Sequence, residues 1–325
     1  MKNYLFVGEY VGNNGPTNVN LGIVSNLTEE FSHIKASNKY LKVVEIVLKV
    51  LRSRVVVVSG ISPYTFGAVK LASILGKKSI YIMHGCLAYE TKVNNLSNME
   101  NAIKRENKIL DKASLILAVS RKYSEWVGEQ YPQYKEKIAF VNNGVMPPNN
   151  SKNRCGEKKR NKIAVVGGER PQKNNLVVSE VVETLAGELE LYSYGRIYNP
   201  SNISKYKWTN FTGLIPKEEL LDELCTCNIF VLNSIVESFG LTIFDALNSG
   251  CSVLISDKAG ATDLLDLQEM DIIYDPFDKE EIKEKLMYLL DNPNNERILA
   301  GLNYEELSFS KSVKKIQEYC EKLLK

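Results

Sequence analysis

No stretch of this chain reaches the roughly 20 consecutive apolar residues that a helix needs to cross a bilayer. The opening residues, MKNYLFVGEY, turn polar too early for a secretory leader, so a cytoplasmic protein is expected. Cysteine is sparse, with six in 325 residues (Cys86, Cys155, Cys225, Cys227, Cys251 and Cys320). A chain of this length builds an apolar core without a disulfide framework, and the six read as buried or incidental thiols. Cys225 and Cys227 stand two apart in a stretch read as helix, off any shared face and without partners at zinc spacing. Charge of one sign is missing too. The 41 Lys and Arg nearly balance 39 Asp and Glu, for a net charge of +2, which removes the electrostatic footprint of a nucleic-acid binder. Neither a phosphate-loop pattern nor Gly-x-Gly-x-x-Gly is present, and no Asp-x-Asp pair suggests a metal site.

What is present is an alternation of short apolar runs with helical periodicity. Residues 4–7, 54–58, 79–83, 115–119 and 138–141 read as strands, and the β-branched run Val55 to Val58 suits a parallel strand covered on both faces. Helices are expected near residues 21–27, 43–51, 66–75 and 123–129, where apolar residues recur at helical spacing. Residues 147–161, rich in Pro and Asn and carrying Lys158, Lys159 and Arg160, read as a linker. The pattern then restarts, with strands at 163–166, 189–194, 229–232, 252–255 and 272–274. Helices are expected at 176–185, 217–224, 241–247, 279–290 and 311–324. The fold class is therefore α/β, in two domains at residues 1–150 and 151–325. The terminal helix is free to return to the first domain.

The most informative stretch runs from Asn233 to Gly250. It follows an apolar strand and becomes helical after Gly240. Gly240 lets a ligand approach the backbone, and the amides of Leu241 and Thr242 open a helix N-terminus able to hold phosphate oxygens. Glu237 precedes this turn with Ser238 and Phe239, while Asp245 lies further along the helix, so the two carboxylates address different parts of an extended ligand. Taken alone, each carboxylate is equally a surface charge near a helix start.

The stretch resembles the signature of retaining GT-B glycosyltransferases, the glycosyl transferases group 1 family. Its common form is Glu, seven residues, then Glu, with Phe-Gly-Leu after the first; here the pair is Glu237 and Asp245. The resemblance implies that Glu237 lies beside the donor sugar and that Asp245, one methylene shorter than the usual acid, holds the ribose. The segment Val166 to Lys173 is similar to the family's loop opening the second domain, and Lys173 matches its diphosphate-binding lysine. The family's arginine six residues earlier is Gly167 here, with Arg170 a candidate substitute. Phe211 to Pro216, including Gly213, resembles the loop around the nucleotide base. Ala259 to Asp263 resembles a further Gly-containing turn. In the first domain, His84 at a strand end matches a histidine that contacts the transferred sugar. Gly12, Asn14 and Gly15 fall in the loop that faces diphosphate and acceptor.

By this resemblance, the fold is GT-B, two Rossmann-like domains facing each other across a cleft. The first domain binds acceptor and the second nucleotide sugar. The implied activity is retaining, metal-independent transfer from a nucleotide-diphosphate-sugar, with a UDP-sugar favoured and no cofactor. The acceptor is a glycan or lipid-linked saccharide in cell-surface polysaccharide biosynthesis. Lys35, Lys39, Lys42, Lys49, Arg52 and Arg54, with Tyr40, place an anionic membrane surface, the inner face of the cell membrane, among the expected partners. A nucleotide-sugar epimerase and a non-catalytic glycan-binding protein remain the alternatives.

Overall fold

A computed structural model describes residues 2–12, 15–147 and 158–325. The chain divides into two compact units, Met1–Met146 with Tyr304–Lys325, and Pro147–Asn303.

The first unit contains β1 (Tyr4–Val7), α1 (Gly15–Ser25), β2 (Phe31–His33), α2 (Lys39–Arg52), β3 (Val55–Ser59) and α3 (Pro63–Ile74). It continues with β4 (Lys78–Met83), α4 (Leu87–Val93), α5 (Glu100–Lys112), β5 (Leu115–Ala118), α6 (Arg121–Gln130) and β6 (Ile138–Phe140). The strands form one all-parallel sheet in the order β2-β1-β3-β4-β5-β6. The β3 valines are wholly buried, as a central strand covered on both faces requires. Local chemistry sets the helix starts. Ser62 and Thr65 form a reciprocal capping box ahead of α3 with Pro63 in its first turn, and the Asn38 side chain accepts from the first amides of α2.

The second unit contains β7 (Lys159–Val166), α7 (Asn175–Thr184), β8 (Glu190–Tyr194), α8 (Pro200–Ile203), β9 (Thr209–Gly213) and α9 (Lys217–Thr226). Then follow β10 (Cys227–Leu232), α10 (Leu241–Asn248), β11 (Ser252–Ser256), β12 (Ile272–Ile273), α11 (Lys279–Asp291) and α12 (Asn295–Gly301). Its sheet, also all parallel, runs β12-β11-β10-β7-β8-β9. Ile163, Val165, Ile229 and Val231 from the two central strands pack with Val178 and Val182 of α7 and Leu286 of α11. The last helix, α13 (Phe309–Lys322), belongs to the first unit. There the Ser312 hydroxyl donates to the Asn142 carbonyl at 2.7 Å and Tyr319 to that of Phe140 at 3.2 Å. The Phe309 ring lies so close to Gly22 and Gly144 that a Cβ at either would stand 2.3 Å from it.

In both sheets the chain reverses its direction of growth once. The reversal falls between β1 and β3 in the first and between β7 and β10 in the second. The crevice beyond the carboxyl ends of such a strand pair is where open α/β sheets bind ligands.

Several expectations need correction. Residues 159–161, read as linker, begin β7; of the rest of that linker, 148–157 lie outside the described residues, as does Asn14. Residues 211–213, read as loop, finish β9, because Thr209 and Phe211 alternate with exposed Asn210 along an edge strand. Cys225 lies in the last turn of α9 while Cys227 opens β10, so the two do not share a helix. Cys86, Cys227, Cys251 and Cys320 are free and buried, whereas Cys225 is disulfide-bonded.

Candidate active site

In the second unit the loops leaving β7 and β10 meet at the reversal point. Val166 leads into Gly167 and Gly168, with φ of +126° and +61°, and both amides donate to the Tyr194 carbonyl, at 2.7 and 3.1 Å. A Cβ at Gly168 would stand 2.3 Å from the Arg196 carbonyl oxygen, so this loop and the one after β8 touch backbone to backbone. Buried Glu169 reinforces the contact by accepting from the Tyr198 and Asn199 amides. A short 3₁₀ turn, Pro171–Lys173, then aims Lys173 across the strand ends.

The Lys173 stem passes directly over Gly167, where a Cβ would stand 2.5 Å from its Cγ. A side chain at 167 and this path for Lys173 exclude each other, which is the physical reason the position is glycine here. Arg170 is exposed and turns back to the same spot, its Nε donating to the Gly167 carbonyl at 3.4 Å.

Lys173 Nζ forms an ion pair with the Glu237 carboxylate, and both side chains are nearly buried, at 14% and 13% exposure. The Glu237 backbone is held from both sides. Its amide donates to the Lys258 carbonyl at 3.3 Å, and its carbonyl accepts from Gly260 at 3.0 Å. Gln172 joins the two loops: its side chain donates to the Val236 carbonyl at 2.9 Å, and its own carbonyl accepts from Ile235 at 3.0 Å. Asn233 adds bonds to the Asn174 and Pro276 carbonyls. Gln172 and Asn233 lie within the two motif stretches, but nothing in the sequence marks them as the polar links between these loops.

Beyond Glu237 and half-buried Ser238, Phe239 is almost wholly buried and stacks on Phe244 at 5.7 Å. Its ring is core, leaving only its backbone to face a ligand. Gly240 adopts φ +98° and caps α10, whose first amides, at Leu241 and Thr242, have no carbonyl a turn behind them. Asp245 is paired with Lys217 at the start of α9. Gly213 ends β9 at φ +79°, and its carbonyl accepts from Gly195 at 2.8 Å.

In the first unit, His84 follows β4 and is half-buried. Burial lowers its pKa from 6.5 to about 4, so the ring is neutral at neutral pH. Its Nε2 lies 2.7 Å from the Ser59 hydroxyl at the end of β3, and Ser59 donates to Asn20 Oδ1 at 2.5 Å. Gly12, at φ +134°, lies in the loop after β1, whereas Gly15, expected in that loop, opens α1; both are exposed. His84, Gly12 and Gly15 belong to this unit and the other candidates to the second. Among the described residues, no group of three or more His, Cys, Asp or Glu is arranged to hold a metal ion.

This architecture is shared with known structures. HepE from Anabaena, solved with UDP, aligns over 98% of this chain and 100% of its own, at a TM-score of 0.68 and 14% identity. A glycosyltransferase from Rickettsia africae aligns over 100% and 99%, at 0.65 and 16% identity. Sucrose-phosphate synthase from Thermosynechococcus elongatus aligns over 100% and 99%, at 0.65 and 14%. At these identities the likeness defines the fold: the chain has the GT-B fold. Residues 149–301, nearly all of the second unit, match the model of Glycosyl transferases group 1. Mannosylfructose-phosphate synthase from Agrobacterium fabrum is 31% identical over 77 residues, 24% of this chain and 17% of that relative.

Proposed function

We propose that this protein is a retaining glycosyltransferase that moves a sugar from a nucleotide-diphosphate-sugar to a glycan or lipid-linked saccharide. The observation that carries the reading is the Lys173–Glu237 pair. It lies at the chain-reversal point of the second sheet, in the segment matching Glycosyl transferases group 1. The second unit takes the donor and the first the acceptor. A UDP-sugar is favoured because HepE, of the same fold, was solved with UDP.

In the proposed step the donor's anomeric C–O bond breaks as the acceptor oxygen bonds the same face of that carbon. The acceptor proton passes to the departing diphosphate. Lys173 offsets the leaving group's developing charge together with the first amides of α10. Glu237, its backbone fixed by the 258–260 turn, places a carboxylate beside the reacting sugar, and Asp245 holds the ribose. His84 contacts the transferred sugar. Arg170 and the backbone at Gly213, Gly12 and Gly15 complete the ligand-facing set. No protein nucleophile or metal takes part.

The test is a screen of nucleotide sugars against acceptors with product masses. Release of nucleoside diphosphate together with a new glycoside supports transfer. Interconversion of donor sugars without acceptor would replace it with an epimerase, and binding without turnover with a glycan-binding protein.

A place at the inner membrane face, in cell-surface polysaccharide synthesis, is supported by α2. Only Ile46 and Val50 of this helix are buried, while Tyr40, Leu41, Val43, Val44, Val47, Leu48 and Leu51 are exposed. Lys39 and Arg52 flank them, but Lys49 is engaged by Glu45 and the His33 carbonyl. The anchoring force is therefore apolar as much as electrostatic. Replacing Leu41 and Leu48 together by Ser should release the protein from phosphatidylglycerol vesicles at a salt concentration where the parent chain stays bound. Equal sedimentation of both would refute the contact.

A further inference from the structure

The donors and acceptors around His84 determine which ring nitrogen carries its proton. Asn20, on α1 and buried, donates from Nδ2 to the Glu9 carbonyl at 3.0 Å, which orients its amide and turns Oδ1 towards Ser59. The buried Ser59 hydroxyl has a single proton and gives it to that oxygen at 2.5 Å. Ser59 is left with only lone pairs facing His84 Nε2 at 2.7 Å, so this contact requires a proton on Nε2. A neutral imidazole with its proton there has a bare lone pair at Nδ1, and Nδ1 has no partner among the described residues.

We infer that Asn20 and Ser59 are positioning residues that lock His84 in the Nε2-protonated tautomer, leaving Nδ1 to accept a hydrogen bond from a ligand hydroxyl. Asn20 lies in the helix after β1, Ser59 ends β3 and His84 follows β4, so the three surround the reversal point of the first sheet. An acceptor nitrogen on an uncharged ring suits a sugar hydroxyl and repels a phosphate oxygen. The inference rests on the glycosyl-transfer reading only for the identity of that hydroxyl; the tautomer stands on geometry alone.

The chain has only two histidines, His33 and His84, so selective ¹⁵N-histidine labelling gives two ring systems and His33→Gln assigns them. Long-range ¹H–¹⁵N correlation at pH 7 should show His84 protonated at Nε2. Asn20→Leu removes the oxygen that holds the Ser59 proton. Ser59 is then free to donate to Nε2, and the ring should shift towards the Nδ1-protonated form. Ser59→Ala should lose the tautomer preference and Ser59→Thr should restore it, a rescue that a purely space-filling role would not produce. In the unsubstituted protein, bound UDP-glucose should move the Nδ1 resonance, while UDP alone leaves it in place.

A proton on Nδ1 in the unsubstituted protein would overturn the proposal. So would an unchanged tautomer in folded Asn20→Leu and Ser59→Ala. If calorimetry shows UDP-glucose bound and the Nδ1 signal stays still, the acceptor role falls. Failure of any nucleotide sugar to bind, with the tautomer as described, would count against the transferase reading and leave the relay intact.

Discussion

The two sheets reverse at the same topological place, yet the side chains gathered there differ in kind. At β7 and β10 the second unit brings together opposite charges, Lys173 and Glu237, over a floor of glycine backbone. At β1 and β3 the first unit assembles an uncharged chain of Asn20, Ser59 and His84. The same strand order therefore presents an ion pair in one unit and an uncharged hydrogen-bonded chain in the other. Fold chose the place in each case, and local side chains chose the chemistry.

The largest expected effect breaks the charged half of this contrast. Lys173→Ala should reduce transfer by roughly 100-fold or more, with weaker donor binding, if its cation meets charge that develops on the leaving group. Glu237→Gln keeps the volume and removes the charge, and should lower turnover more than affinity. Initial rates and calorimetry on folded variants read both; near-normal values for the two together would remove this pair from the chemistry.

Next comes the floor beneath the pair. Gly167→Ala adds a Cβ 2.5 Å from Lys173 Cγ at a backbone φ of +126°, a region L residues rarely occupy. It should cost about 1–3 kcal/mol of stability and displace the lysine, lowering donor affinity as well. Thermal unfolding and calorimetry measure the two losses separately. A variant of unchanged stability would mean the loop has another way to seat that lysine.

A smaller effect is expected at the edge of the charged site. Asp245→Asn should weaken donor affinity by about tenfold with little change in turnover. Lys217→Met should weaken it by only about twofold, because that lysine is 43% exposed and screened by water. Equal losses in both would make the ion pair, rather than the carboxylate, the determinant.

The neutral half, and Glu106 elsewhere in the same unit, can also be read through pH. The folded pKa of His84 is lowered by burial to about 4, so the unfolded chain binds the extra proton between there and 6.5. The His84 contribution is thus complete above pH 6.5 and is lost as pH falls towards 4. Glu106 has the opposite sign. Burial raises its pKa to about 7 although it accepts from the Leu87 and Ala88 amides, so its contribution is complete below 4.5 and fades as pH rises through 7. Urea unfolding at pH 5 and pH 7 should show Glu106→Gln gaining relative stability at the higher pH. His84→Gln should lose less than the parent chain on acidification. Parallel shifts in all three proteins would show that neither group titrates between the two states.

Much of the frame was legible in the sequence because parallel strands buried on both faces announce themselves. Val55 to Val58 and Ile229 to Leu232 are uninterrupted apolar runs, and the turns after them carry glycine. The region between β4 and β5 was not legible. In α5 only Glu106, Ile109 and Leu110 are buried, so a helix that docks by one short face and a carboxylate has little apolar periodicity to read. Residues 211–213 read as loop because an edge strand ending in Gly213 looks like a turn. In the site, Lys173, Glu237 and Asp245 stood out through their resemblance to a known pattern. Lys217 did not, since an exposed lysine at a helix start is commonplace until its partner is seen. Asn20 and Ser59 were silent for another reason: each is a small polar residue whose role exists only through proton bookkeeping among three separate segments.

The seating of Phe309 against Gly22 and Gly144 has a consequence for how the protein is made. The first unit contains residues on both sides of the second in sequence, so the second is an insertion within it. During synthesis the sheet β1 to β6 emerges early, but α13 follows only after the whole second unit has been translated. Until then the faces of α1 and of residues 142–145 that receive Phe309 stay uncovered. The contiguous second unit is free to finish first, reversing the usual order in which the earlier part of a nascent chain completes its fold before the later part.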